Sequence, residues 1–401
     1  MVNPEARELE RLLKADARAM QRDESQTFLK LARERAGDIV LFGAGGLGRK
    51  ILVGLRANEI EPLAFADNSP ARQGTTIDGL PVMSPAAAAA EFADTAIFVV
   101  TIWGANSPHR FAHSRDQLAA LGCSAICFPP LCWMFPESLL PHYLQDLPHK
   151  VLEQRDDVRR AYDVWADDAS RTEYVDQVRF RMLADFDGLG HPVAHPQYFP
   201  DDLYDWRSDE WIVDGGAYDG DSIRKLTELH GQDFGHVLAL EPDPVNFARL
   251  VETTRGLPPD MASKIDCRQL ALGATRGTLH LDARGDASSV TTGAAADGTI
   301  AVPAERLDDV LAGAIPTFIK LDIEGAEPDA LTGARETITS HAPVIAVCVY
   351  HLQDHLWKIP LMLKAWRDDY SFFLRSHNEE GWDLVCYAVP RARLAAGAGG
   401  R

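Results

Sequence analysis

The chemistry-bearing residues of this chain gather where apolar runs end in acids. The run Trp211-Ile-Val closes on Asp214, and Gly215, Gly216, Ala217, Asp219 and Gly220 follow before a polar, helix-compatible stretch opens near Ser222. Open α/β sheets bind ligands at the carboxyl ends of their strands, and glycines there let the backbone come close to a ligand. A carboxylate at such a bend favours a cation. Asp214 and Asp219 therefore suit S-adenosylmethionine, with its ammonium and sulfonium charges, better than a pyrophosphate, which prefers an uncharged turn lined by nitrogens. A second apolar run, 237–240, ends in Glu241, 21 residues beyond Gly220, where a carboxylate can accept hydrogen bonds from ribose hydroxyls. A glycine turn alone could be a tight strand–helix connection. With Glu241 in register the cofactor pocket is the preferred reading.

A third run, Phe318-Ile-Lys-Leu-Asp-Ile-Glu-Gly-Ala-Glu327, places Lys320, Asp322 and Glu324 on one face of a strand. Ionisable groups on a central strand are costly unless paired or used, so either a structural Lys–Asp pair or a reactive site is expected. A fourth feature is Leu41-Phe-Gly-Ala-Gly-Gly-Leu-Gly-Arg49, which carries the G-x-G-x-x-G spacing at Gly43, Gly45 and Gly48, with Asp67 ending the next apolar run. Its strand–turn–helix context fits a nucleotide with phosphates on the helix N-terminus and ribose at Asp67.

The elements that must hold these residues follow from periodicity. Residues 3–35 read as one amphipathic helix that docks on its own domain or dimerises. Residues 38–42, 62–66, 95–102 and 125–128 read as strands alternating with helices, the βαβ order of a parallel sheet. Residues 136–190 look helical, and 188–200 is a Pro, His and Gly-rich loop. A second set of strands lies at 211–213, 237–240, 265–270, 317–321, 343–350, 370–374 and 384–389. The expected fold is α/β, with two Rossmann-like doubly wound sheets joined by a helical connector. Its domains are a helix over 1–36, a nucleotide-binding domain over 37–130, a connector over 131–207, a catalytic domain over 208–390 and a disordered tail over 391–401.

The balance of 40 basic against 59 acidic residues gives a net charge of −19, which repels phosphate backbones and acidic membranes. Nucleic acid is thus not an expected partner. No run approaches the ~20 apolar residues of a membrane span, and Met1 to Glu24 lacks the apolar core of a signal peptide. The six cysteines include no C-x-x-C pair, and Cys123, Cys127 and Cys132 sit beside apolar runs, where core packing is expected. These features point to a reduced cytoplasmic protein.

From Glu210 to Pro390 the chain resembles the FkbM-type methyltransferases, a branch of the class I S-adenosylmethionine fold. The resemblance is carried by Val213-Asp-Gly-Gly-Ala-Tyr-Asp-Gly-Asp-Ser222, Leu240-Glu-Pro-Asp243, Leu270-Ala-Leu-Gly273, Ser288-Ser289 and Lys320-Leu-Asp-Ile-Glu-Gly-Ala-Glu327. It implies a seven-stranded sheet, cofactor contacts at Asp214, Gly216, Gly220 and Glu241, adenine near Ala271 and Leu272, and a hydroxyl acceptor on a sugar, polysaccharide precursor or secondary metabolite. The segment from Gly43 is similar to the nucleotide-binding domain of sugar acyltransferases, which also show an Ile-Asp-Gly-x-Pro-Val stretch, here Ile77-Asp-Gly-Leu-Pro-Val82. That similarity implies a nucleotide or nucleotide-sugar there, with NAD as the next candidate.

Methyl transfer needs an acceptor oxygen aligned behind the methyl group and a base for its proton. His351 or Asp322 is the expected base, with Glu324 holding substrate or partner side chains. His351 and His355 could also join Asp322 or Glu324 around a divalent ion. The preferred reading makes His355 a helix-capping or surface residue and assigns no metal. Two other functions stay open: a nucleotide-sugar or NAD-dependent enzyme centred on Gly43, and a non-catalytic ligand-binding protein. A homo-oligomer also stays open.

Overall fold

The structure is a computed structural model that describes residues 3–105, 109–282, 290–291 and 299–398. Ser288 and Ser289 lie outside the described residues. The N-terminal segment is two helices, Pro4–Leu13 and Ala17–Ala32, and not one. The break has a local cause: Asp16 accepts a hydrogen bond from the Ala19 N–H at 2.7 Å and caps the second helix. Leu9, Leu12, Leu13, Phe28 and Ala32 are buried against the rest of the chain, so both helices dock on their own protein.

The first sheet runs in the order Thr76–Ile77, Leu80–Met83, Ala64–Ala66, Ile39–Phe42, Ile97–Val100, Ser124–Cys127. All its pairings are parallel except the hairpin between the first two. The period of two divides its strands between two cores. Val40, Phe42, Phe98 and Val100 pack on one face, and Ile39, Leu41, Ile97 and Val99 on the other. Cys123 and Cys132 are buried, and burial pushes the Cys127 and Cys132 thiols up to about 12, as core cysteines require.

The second sheet has seven strands, in the order Tyr370–Ser376, Leu384–Pro390, Val344–Cys348, Phe318–Leu321, Trp211–Gly215, His236–Leu240, Ile265–Arg268. Leu384–Pro390 runs antiparallel to both strands it pairs with, and the sheet's other pairings are parallel. The strand order reverses beside Trp211–Gly215, and this switch point opens a crevice at the carboxyl ends of the strands. The expected strand over 265–270 stops at Arg268. Ala271–Leu272 instead joins a separate four-stranded sheet with Thr299–Glu305, Gly277–Asp282 and Val290–Thr291.

The connector is five helices, Pro129–Met134, Pro136–Leu139, Pro148–Glu153, Arg155–Tyr162 and Asp168–Leu183. A loop over 140–147 interrupts them. One core runs from Leu9 through the connector to Val389, so the helical layer binds the two sheets together. The 391–398 stretch, expected to fray, is held instead: Arg393 pairs with the buried Glu210, and the Ala395 N–H donates to Leu203 O at 3.2 Å.

Candidate active site

The bend after Val213 is shaped by Gly216, at φ +77°. A Cβ there would stand 1.8 Å from the Asp322 carbonyl oxygen, so two strand ends meet at this glycine and no side chain fits between them. Below the bend, Asp214 is 2% exposed, and the Lys320 ammonium lies 3.0 Å from its Oδ1. Lys320 also donates to Gly216 O at 2.7 Å. Burial works against the ammonium, but the Asp214, Asp322 and Asp221 carboxylates outweigh it and raise its pKa above the ordinary lysine value. Asp214, expected to contact the cofactor, thus faces the Lys320 cation and is not among the residues that wall the cavity above the bend. Asp219 points away as well, pairing with Arg224 at 2.6 Å.

Above the bend lies a cavity of about 270 Å³, walled by Gly216, Tyr218, Asp221, Leu240, Glu241, Asn246, Ala271 and Leu272. Gly215 and Gly220 hold the turn from behind, and Ala217 is fully buried, its N–H bonded to Leu240 O at 3.0 Å. Glu241 accepts the Tyr218 and Asp243 N–H groups, each at 2.9 Å. Burial pushes its carboxyl up to about 7 against those two hydrogen bonds. Each oxygen retains a second lone pair, so the group can take ribose hydroxyls. The apolar Leu240, Ala271 and Leu272 suit a flat base, and Asp221 with Asn246 suits an ammonium. The residues present fit an adenosyl ligand with a cationic end.

Asp322, Ile323 and Glu324 leave the end of Phe318–Leu321 and close this cavity on the far side. Beyond them is a larger cavity of about 840 Å³, lined by Lys50, His142, Tyr143, Gly273, Thr275, Thr278, Asp329 and His351. Tyr143, Leu272, Leu279, Glu324 and Ala326 belong to both walls. The two spaces adjoin at Glu324.

His351 is 3% exposed and enclosed by acids: its Nδ1 is 2.8 Å from Glu327 Oε1 and its Nε2 3.2 Å from Asp322 Oδ1. Burial disfavours the imidazolium, but Glu327, Glu324 and Asp322 outweigh it and raise its pKa well above the usual value. Both ring nitrogens of His351 thus face carboxylates, which favours its protonated form. Asp322 is engaged too. It accepts the Tyr198 hydroxyl at 2.7 Å, and burial is outweighed by His351, Lys320 and Tyr198, which lower its carboxyl to about 2. Glu324 differs, at φ +54° and 34% side-chain exposure. Burial pushes its carboxyl up to about 7; His351 opposes this, and Asp322, Glu327 and Asp383 add to it. His355 is neither a cap nor exposed: it is 1% exposed, with Nδ1 3.2 Å from Glu327 Oε2.

Several wall residues escaped the sequence reading. Lys50, His142, Tyr143 and Ala105 come from the N-terminal half; Tyr198, which holds Asp322 from behind the wall, comes from the loop expected to be a boundary. The aromatic residues inside the Pro and His-rich loops were the available signal. At the Gly43 loop the glycines answer mainly to the fold. A Cβ on Gly48 would lie 2.0 Å from Gly43 O. Asp67 is engaged by its own chain, accepting the Ala44 and Ser69 N–H groups at 2.8 Å and pairing with Arg72 at 3.1 Å.

Residues 214–377 match the methyltransferase FkbM domain. The fold is similar over 95% of this chain and 99% of the other to methyltransferase FkbM from Methylobacillus flagellatus KT, at 23% identity and a TM-score of 0.77. Two weaker likenesses are a putative rRNA-methylase from Clostridium thermocellum and UDP-D-quinovosamine 4-dehydrogenase from Vibrio fischeri. The first shows 12% identity over 46% of this chain and 89% of that one, with a TM-score of 0.31. The second shows 18% identity over 25% and 85%, with a TM-score of 0.19. No curated protein matches. The family match is confined to residues 214–377, less than half of the chain, and no helix among the described residues is long and apolar enough to cross a membrane.

Proposed function

We propose that the chain is an S-adenosylmethionine-dependent O-methyltransferase that holds the cofactor in the smaller cavity and a hydroxyl-bearing small molecule, such as a sugar or its precursor, in the larger one. The observation that carries this reading is the meeting of the two cavities at Glu324. A transfer between two ligands needs two adjoining sites with a proton acceptor at the junction.

When bound, the cofactor supplies an electrophilic methyl group. The rest falls to residues of this chain. Glu241 takes the ribose hydroxyls, and Ala271 with Leu272 flanks the base. Glu324 Oε2 takes the proton from the acceptor hydroxyl; a carboxyl held at about 7 suits that task near neutral pH. The His351 imidazolium, fixed by Glu327, keeps part of the Glu324 population ionised. Tyr143 closes the chamber from the N-terminal half.

Calorimetry with S-adenosylmethionine, followed by an acceptor screen with labelled methyl, tests the proposal. Saturable binding that Glu241→Ala weakens, with label transfer that Glu324→Gln abolishes, is the expected result. Absence of cofactor binding by the intact chain would reject it.

A further inference from the structure

The larger cavity holds one cation whose charge nothing nearby balances. Lys50 sits on helix Gly46–Ala57, the helix that follows the Gly43 loop, and lines this cavity together with residues of the C-terminal half. Its polar contacts are His142 Nδ1 at 3.0 Å and, at the limit of a hydrogen bond, Pro141 O at 3.5 Å. Among the described residues no carboxylate lies within 4.0 Å of it. Burial lowers its pKa below the ordinary lysine value, and burial together with the Lys50 charge lowers His142 to about 3. His142 is therefore neutral. It accepts from Lys50 through Nδ1 and so carries its own proton on Nε2, as a second donor.

A half-buried ammonium without a counter-ion carries a desolvation cost. At the wall of a cavity that cost is offset when an anionic ligand arrives. We infer that Lys50, with His142 beside it, anchors an anionic group, a phosphate or a carboxylate, on the acceptor molecule, and so makes the acceptor a charged, hydroxyl-bearing compound. This rests on the proposed division of the two cavities between cofactor and acceptor. Glu324 and Asp329 line the same chamber, and their charge confines an anion to the Lys50 side. The acceptor is thereby oriented, with its charged end on the N-terminal half and its hydroxyl end toward Glu324. It also gives the N-terminal half a role in choosing the acceptor.

Three probes of similar shape test this on the whole protein by calorimetry or ligand-observed NMR: glucose 6-phosphate, D-glucuronate and glucose. At least one charged probe should bind roughly tenfold tighter than glucose, the scale of one charge-assisted contact. Lys50→Met should erase that contrast and Lys50→Arg should keep it. The phosphate and carboxylate arms tell the two anion types apart. Equal binding of all three probes to the wild type, or a contrast that survives Lys50→Met, overturns the inference. Lys50→Gln is the second variant if Lys50→Met loses its native circular dichroism, and the wild-type comparison stands without either. The probes need no cofactor, so a chain that fails to bind S-adenosylmethionine while discriminating the probes rejects the methyltransfer reading and supports Lys50 as an anion anchor for a ligand of another reaction.

Discussion

His351 Nε2 stands 3.9 Å from Glu324 Oε2, near enough for the imidazolium to act on the carboxylate and too far for a hydrogen bond. The same nitrogen is 3.2 Å from Asp322, and the other ring nitrogen is 2.8 Å from Glu327. One buried cation thus faces three carboxylates and is closely bound by two of them. The third, Glu324, keeps an acceptor oxygen free at the junction of the cavities.

Turnover should follow the ionisation of Glu324. Its carboxyl is held at about 7, and only the carboxylate can take a proton, so kcat/KM should climb as pH rises through 7 and level off above it. Replacing His351 with Gln removes a charge that lowers the Glu324 pKa, and the rising limb should move to higher pH. Glu324→Gln should lose turnover by roughly a hundredfold or more while binding cofactor normally. A profile that is flat between pH 6 and 8 would remove Glu324 from the role.

Cofactor affinity should carry its own pH dependence. Glu241 is held at about 7 by burial, and ribose hydroxyls need its ionised form as acceptor. With a pKa near 7, the competent fraction at pH 6 is only about a tenth, so affinity should weaken roughly tenfold between pH 8 and pH 6. Glu241→Ala should cost ~1.5–3 kcal/mol of binding at pH 8 and flatten the dependence. Calorimetry at the two pH values measures both. Unchanged affinity in the variant would count against the ribose assignment.

The contact between Asp214 and Lys320 should show in folding. Both side chains are 3% exposed, and removing one partner of a buried pair leaves the other charge stranded, at a cost of ~3–5 kcal/mol. Asp214→Asn and Lys320→Met should each lower the urea midpoint sharply, and the double variant should recover much of the loss. An Asp214→Asn protein as stable as the wild type, with weakened cofactor binding, would return Asp214 to the pocket.

That pair also marks where reading the sequence stops. The acid-ended runs reveal the strands and which ends carry chemistry, because an apolar run closing on a carboxylate is a local signal. Lys320 and Asp214 become neighbours only through the register of two strands a hundred residues apart, which sets them directly opposite. His351 illustrates the same limit: its type suggests a base, but its charge state depends on Glu327 and Asp322 enclosing it. Thr299–Glu305 could have been read as a strand from the alternating Ile300, Val302 and Ala304. Proline inside a run usually marks an edge strand or no strand; here the strand tolerates Pro303 in a small sheet beside the main one. Lys50 reaches the site past the connector, and Tyr143 from the connector's own 140–147 loop, contacts that no local pattern encodes.

Gly216 offers the sharpest test of the bend itself. At φ +77° a Cβ is strained whatever the space, and here it would also meet the Asp322 carbonyl at 1.8 Å. Gly216→Ala must therefore push the Asp322–Glu324 segment away from the strand end, at ~1–3 kcal/mol for the backbone conformation alone and more for the displacement. Because the segment walls both cavities, cofactor affinity and turnover should fall together. Gly45→Ala is the control, since nothing lies within 4 Å of a Cβ at that position. It should leave stability and cofactor affinity unchanged. If Gly216→Ala kept wild-type affinity and rate, the close approach of the two strand ends would not be what shapes the site.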